Sequence, residues 1–215
     1  MKNTEIKQAL EILKEAVKKW KQPIVGAMGK DPYKILIATI LSLRTKDATT
    51  EAASNRLFAI ADTPKKMVRT EIEDIEKAIF PVGFYKRKAI NIQEISKTIL
   101  DKYEGNVPDE LEELLTLKGV GRKTANLTIT LGYNKPGICV DIHVHRICNR
   151  WGYVETKDPE KTEFALRDKL PIEHWIEIND LLVCFGQNLC TPISPHCSIC
   201  PVYQFCDRVG VTTSR

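Results

Sequence analysis

Cys190, Cys197, Cys200 and Cys206 fall within seventeen residues, spaced C-x6-C-x2-C-x5-C, and Pro201 follows the third of them. Four thiolates so placed can hold a tetrahedral zinc ion or a cubane iron–sulfur cluster. A zinc ribbon ordinarily divides its cysteines into two close pairs separated by a longer stretch. Here one C-x2-C pair is flanked by single cysteines, a spacing that favours a cluster in which each iron takes one thiolate. Disulfides are the weak third choice, because the chain reads as intracellular. Cys139, Cys148 and Cys184 lie scattered among apolar residues and read as buried small hydrophobes.

A second stretch able to do chemistry is Leu117-Lys118-Gly119-Val120-Gly121-Arg122-Lys123-Thr124-Ala125-Asn126. Two glycines one residue apart permit a tight turn and close approach of the backbone. The helix that follows begins with N–H groups suited to a phosphate oxygen. This is the pattern of a helix-hairpin-helix, which grips a nucleic-acid backbone without reading its sequence. A plain helical hairpin capped by glycine has the same signature. Lys123 falls in the first turn of the second helix, where the helix dipole disfavours a cation. A partly desolvated, neutral amine is the nucleophile that carbonyl or imine chemistry requires. Most helix lysines are merely solvated, so the position alone does not decide.

Cys139-Val140-Asp141-Ile142-His143-Val144-His145-Arg146 supplies a partner for that amine. Asp141 precedes a helix and reads as its N-cap. Backbone N–H groups hold such a carboxylate in its ionised form, and facing the same cleft as Lys123 it would share the work of base and nucleophile. His143 and His145 point to opposite sides of the helix, which argues against a shared metal site. Arg146, Arg150 and Lys135 either touch phosphates or form a solvated face.

The elements that position these groups are helical nearly throughout. Ile6, Leu10, Leu13, Val17 and Trp20 recur at helical spacing. Residues 33–43 are apolar on all sides, as in a buried central helix. Asp47 reads as the N-cap of a helix carrying Ala52, Leu57, Phe58 and Ala61, and Thr70 with Glu73 as a capping box before Ile72, Ile75 and Ile79. Ala89, Ile92, Ile95 and Ile99 form the next stripe, and Pro108 opens a short helix with Leu111, Leu114 and Leu115. Further helices are predicted over 122–133, 142–150, 159–169 and 172–187, the third opened by Asp158-Pro159. The expected fold is all-α, about ten helices ending in a cysteine-rich loop. With 215 residues, 43% hydrophobic and 28% charged, the chain can bury a sizeable core. Its net charge of +4 permits a polyanionic partner without demanding one. The longest apolar run, Ile35 to Leu43, is far short of the roughly 20 residues that cross a bilayer. The N-terminus lacks an apolar signal core, so an intracellular protein in the cytoplasm or nucleoid is expected.

Taken together and in this order, LKGVGRKTAN, VDIHVHR and C-x6-C-x2-C-x5-C resemble the endonuclease III family of helix-hairpin-helix DNA glycosylases with abasic-site lyase activity. The resemblance covers nearly the whole chain, from about Ile24 to Asp207. It implies two helical domains flanking a DNA-binding cleft: a six-helix domain over 22–134, and 1–21 with 135–215 around a 4Fe-4S cluster. It implies Lys123 as nucleophile, Asp141 as the family's aspartate and Cys190, Cys197, Cys200 and Cys206 as cluster ligands. DNA contacts fall on Lys118, Gly119, Val120, Gly121, Arg122 and His143. The implied partner is double-stranded DNA with a damaged or abasic site, met by a monomer, and the implied substrate is an oxidised pyrimidine. The cluster in this family is structural or tunes DNA affinity.

Gly83-Phe84-Tyr85-Lys86-Arg87-Lys88-Ala89 resembles the family loop that inserts an apolar residue into the opened duplex. Phe84 is then the wedge, with Lys86, Arg87 and Lys88 as phosphate contacts. The alternative leaves Phe84 in the core and the three cations solvated. Three positions depart from the family pattern. Arg44 stands where a glutamine fills the hole left by the flipped base, Ile142 replaces a threonine, and Lys118 replaces a proline. A guanidinium can bond guanine O6 and N7 but accepts nothing, so Arg44 is expected to bias the enzyme toward lesions opposite guanine. It also keeps a second reading open, a glycosylase for G/T or G/U mismatches, against which Lys123 argues.

Overall fold

The computed structural model describes residues 1–20 and 29–215. Among these residues it contains eleven α-helices and no strand, the all-α class expected from the periodicity. The chain divides into two compact units, Ile24–Lys135 and Met1–Pro23 with Pro136–Arg215. The expected boundary at 21/22 lies outside the described residues.

The unit Ile24–Lys135 is built around α2 (Pro32–Ser42). Asp31 caps it, accepting from the backbone N–H of Tyr33 at 2.9 Å and Lys34 at 3.2 Å, and Pro32 occupies the first turn. Leu36, Ile37, Ile40 and Leu41 are buried on every side of it, as a central helix requires. Helices α3 (Asp47–Ile60), α6 (Tyr85–Tyr103) and α8 (Arg122–Leu127) pack against it, with α4 (Pro64–Arg69) and α5 (Ile72–Ile79) on α6 and α7 (Leu111–Leu115) on α8. With α2 these are seven α-helices among the described residues of the unit, against the six expected; α4 and α7 are the shortest, at six and five residues. Ala89, Ile92, Ile95 and Ile99 of α6 are all in the core, and Tyr33 and Ser96 share a buried hydroxyl–hydroxyl bond of 2.7 Å.

Several predicted helix starts shift. The N-cap of α3 is Lys46 and Asp47 is its first residue, while Ala53 rather than Ala52 faces the core. Thr70 does not open α5: its hydroxyl donates back to the Lys66 carbonyl at 2.9 Å, and Glu71 is the cap. Such back-bonding competes with capping for the same hydroxyl. Pro108 stands before α7, whose cap is Glu110. Helix α8 gives way at Thr128 to a π turn that ends at Gly132, so the helix predicted over 122–133 changes pitch midway.

The second unit packs α1 (Asn3–Ala16) against α11 (Ile178–Asn188), and α11 against α9 (Ile142–Arg150), with α10 (Pro159–Lys169) alongside α9. Ile6, Leu10 and Leu13 meet Val144, Ile147, Leu182, Phe185 and Trp151 in one core. The Tyr153 hydroxyl ties the chain's start to its later half through Asn3 Oδ1 at 3.0 Å. Asp158 caps α10 through the Lys161 N–H at 2.8 Å, with Pro159 behind it, as the sequence predicts. The helix predicted over 172–187 is divided. A short 3-10 turn spans Ile172–His174, and α11 starts only at Ile178. The His174 imidazole closes that turn on Glu177 at 2.7 Å.

Candidate functional site

The glycine pair sits between α7 and α8. The N–H of Val120 donates to the Leu117 carbonyl at 3.0 Å, and Gly119 turns the chain at φ +75°. A Cβ there would lie 2.7 Å from Asn91 Nδ2, so the position excludes a side chain twice over, by backbone and by space. Gly121 is the N-cap of α8, with nothing within 4 Å of a would-be Cβ. Its open side leaves room for a group from outside. The side chain of Val120 is buried in the core, which leaves its main chain for any outside contact. Arg122 and Lys123 are half-buried in the first turn of α8. Lys118 is exposed but ion-paired with Glu94 at 2.8 Å, so the charge it was expected to add is partly neutralised. Gly119→Ala is expected to cost about 1–3 kcal/mol of stability, from left-handed strain plus the crowding on Asn91. Urea denaturation checks this, and an unchanged midpoint would contradict it.

In the other unit Asp141 is the N-cap of α9, as predicted. Its Oδ1 accepts from the backbone N–H of His143 at 2.8 Å and Val144 at 3.0 Å. Oδ2 lies 2.8 Å from His143 Nδ1. The carboxylate is nearly buried, at 9% exposure, with both oxygens engaged. Nδ1 of His143 is thereby engaged by Asp141, which fixes the orientation of the ring. His145 turns to Thr162 at 2.7 Å, so the two imidazoles do not share a partner. Ile142 is 66% exposed beside the carboxylate, an apolar surface with no core to enter.

A third group of residues lines a pocket of about 770 Å³ in the unit Ile24–Lys135, formed with Leu43, Arg44, Phe84, Lys88, Asn91 and Lys118. Phe84 is 63% exposed, which overturns its reading as core. Phe84 and Arg44 both adopt left-handed backbone, at φ +58° and +55°. Each such non-glycine residue costs about 1–2 kcal/mol. The Arg44 guanidinium lies 5.8 Å from the Phe84 ring centroid, a cation–π distance. Lys88, expected among the solvated or phosphate-contacting cations, is buried instead. Its ammonium donates to the carbonyls of Leu41 at 2.8 Å and Leu43 at 2.6 Å. Burial pushes its pKa down to about 8. A sequence signal existed: Lys88 lies four residues before Ile92, on the same stripe of α6 as Ile95 and Ile99.

The four clustered cysteines are unpaired by disulfide and line one small apolar cavity with Trp151, Phe185 and Leu189. Burial pushes the thiols of Cys190, Cys200 and Cys206 up, that of Cys200 to about 11. Bound iron would replace those protons and supply the opposing charge. Among the described residues no three His, Cys, Asp or Glu side chains converge as one metal ion requires. A cubane, taking one thiolate at each iron, has no such requirement. Arg150 and Arg146 are not a solvated face. Arg150, 7% exposed, donates to Cys190 Sγ at 3.2 Å, to the Thr191 carbonyl at 2.9 Å and to the Pro192 carbonyl at 3.2 Å. Arg146 donates to the Gly186 carbonyl at 3.3 Å and the Cys190 carbonyl at 3.0 Å. Lys135 pairs with Asp109 at 2.8 Å and Glu110 at 2.7 Å. Arg150→Ala leaves the buried Cys190 sulfur and two partly buried carbonyls without their donor, and is expected to cost about 1–3 kcal/mol and lower iron content. Melting temperature and iron analysis of the purified variant check this. Nothing in the sequence marked Arg150, since its partners lie some forty residues away.

The model of the HhH-GPD superfamily base excision DNA repair proteins matches residues 37–171, and the iron-sulfur binding domain of endonuclease III matches residues 190–206. Endonuclease III of Thermotoga maritima is 45% identical over 92% of this chain and 91% of its own length. The chain belongs to the endonuclease III family. Endonuclease III homolog 2, chloroplastic, of Arabidopsis thaliana is also 45% identical, and here the chain spans 47% of the relative's length. A structure of a non-covalent endonuclease III–DNA complex superimposes with a TM-score of 0.86 at 31% identity, covering 97% of this chain and 96% of that one. A thermostable thymine-DNA glycosylase, with a TM-score of 0.84 at 23% identity over 96% of this chain and 97% of its own, shares the fold. As a member of that family, the protein is a base excision DNA repair enzyme whose partner is DNA and whose cysteine-rich loop serves a 4Fe-4S cluster. No helix among the described residues is long and apolar enough to cross a membrane.

Proposed function

We propose that this member of the endonuclease III family removes oxidised pyrimidines from duplex DNA and then cleaves the strand, with Lys123 as nucleophile and Asp141 as the stabilising carboxylate. A pyrimidine within the stack is out of reach, so it must be turned out of the duplex, and damage lowers the cost of doing so. Loss of the base places positive charge on the sugar, which an ionised Asp141 stabilises. The Lys123 amine attacks C1′ as the base departs with the bonding pair, and loss of an amine proton with ring opening gives an imine. The imine acidifies the C2′ proton, and its removal expels the 3′ phosphate by β-elimination.

Gly119, Gly121 and the first turn of α8 receive backbone phosphate in this reading, with Phe84 and Arg44 entering the duplex. Cys190, Cys197, Cys200 and Cys206 ligate the cluster, which supplies structural and electrostatic support outside the chemical steps. The protein works as a monomer inside the cell. The observation that carries the reading is Lys123 in the first helical turn behind the glycine hairpin, in a chain of this family. Borohydride trapping on a duplex with one thymine glycol tests it. A covalent protein–DNA adduct is expected, and its absence with the cluster intact would exclude lyase action on that lesion.

Arg44 favours a further feature, a preference for lesions opposite guanine. The ratio of cleavage opposite G to cleavage opposite A is expected to fall about tenfold in Arg44→Gln, the discrimination of one bidentate contact. Identical ratios for the two proteins would remove Arg44 from base selection.

A further inference from the structure

We propose that Lys88 is a positioning residue that locks Arg44 and Phe84 into one preformed unit, so that both enter the duplex together. This rests on the reading of those two residues as the inserting pair. Arg44 and Phe84 belong to separate loops, one after α2 and one before α6, and both hold left-handed backbone. Backbone of that kind persists only where its surroundings over-determine it. Lys88 supplies that restraint. Its ammonium gathers the carbonyls of Leu41 and Leu43 at the end of α2, and reaches Thr45 Oγ1 at 3.4 Å, so it grips residues on both sides of Arg44. All three acceptors are neutral, and a cation is favoured at a helix C-terminus.

The second loop is fastened to the first at two points. The Gly83 N–H donates to Thr45 Oγ1 at 3.2 Å, and a Cβ on Gly83 would lie 2.7 Å from the Arg44 carbonyl oxygen. Lys88 also stands one helical turn after Phe84, whose carbonyl accepts the Lys88 N–H at 3.0 Å. Side chain and main chain of one residue thus hold both inserting residues. A lysine serving only the fold would have no reason to bracket the two strained positions that face the pocket.

The test compares wild type with Lys88→Met, which keeps the stem and removes the donors, and with Gly83→Ala, which leaves Lys88 intact and pushes on Arg44. Each is assayed on a thymine glycol in a duplex with flanking 2-aminopurine, and on the same lesion in an unpaired bubble. Circular dichroism and iron content establish that each is folded, and Gly83→Ala carries the test where Lys88→Met is not. Both variants are expected to raise KM on the duplex about tenfold and suppress the 2-aminopurine rise, with turnover in the bubble within about twofold of wild type. Equal losses on both substrates, or an unchanged duplex KM, would overturn the proposal. In a Phe84→Ala background, Lys88→Met is expected to add less than about twofold, and fully multiplicative effects would also overturn it. Should Arg44→Ala and Phe84→Ala leave the duplex signal intact, the insertion reading fails and the proposal falls with it. Should they abolish it while Lys88→Met does not, the role of Lys88 alone fails.

Discussion

Lys123→Ala is expected to abolish the borohydride-trapped adduct and to reduce strand cleavage by on the order of a thousandfold or more, because the covalent route is lost outright. The variant should still fold. Lys123 is half-buried in the first turn of α8, where alanine is a good helix former. The stability change is expected to stay within about 1 kcal/mol. Grip on the DNA backbone should weaken by no more than a few fold, since the glycine turn and the main chain of α8 remain. Lys123→Arg sharpens the comparison by keeping the charge without a nucleophilic amine, and is expected to behave like the alanine variant in trapping. Denaturing gels of trapped complexes and a melting curve decide the matter. Persistence of a full-strength adduct in Lys123→Ala would hand the nucleophile's role to another amine.

The second large effect falls on Asp141, where two substitutions separate chemistry from structure. Asparagine can still cap α9, so Asp141→Asn is expected to melt near wild type. On the proposed mechanism it loses the negative charge that stabilises the developing sugar cation, and base removal should slow by about 10²–10³-fold. Asp141→Ala should lose as much rate and, in addition, about 1 kcal/mol from the missing cap. The partly buried His143 Nδ1, which now meets Asp141 Oδ2 at 2.8 Å, would also lose its partner. Single-turnover base release and thermal denaturation of both variants measure the two effects separately. Base release by Asp141→Asn at the wild-type rate would show that the carboxylate is structural only.

The groups legible in the chain are those whose signal is local. Asp141 as a cap, Asp158-Pro159 as a helix start and the buried stripe of α6 each depend on residues within a few positions, and the structure agrees with each. The C-x6-C-x2-C-x5-C spacing is local as well, and it marks the loop that the iron-sulfur binding domain matches. Misplaced starts have a common cause. Lys46, Glu71 and Glu110 cap their helices with no side-chain bond, so backbone conformation set by packing, and not a capping side chain, decides where α3, α5 and α7 begin. Propensity is a weak prior against such tertiary preference.

By itself the sequence determined the helical class and, through the resemblance its three motifs carry, the family and the loop of four cysteines, because each signal is held in residue type and short spacing. Only the tertiary structure decided what the remaining charges do. Lys86, Arg87 and Lys88 read alike as a basic run, yet Lys88 alone turns inward to the end of α2. Arg150 reads as a surface cation, yet it is folded under the cysteine loop. Lys118 reads as a free charge, yet Glu94 of α6 meets it. A charged side chain's role depends on which acceptors long-range folding brings within about 3 Å, and at that distance residues forty positions apart count as neighbours.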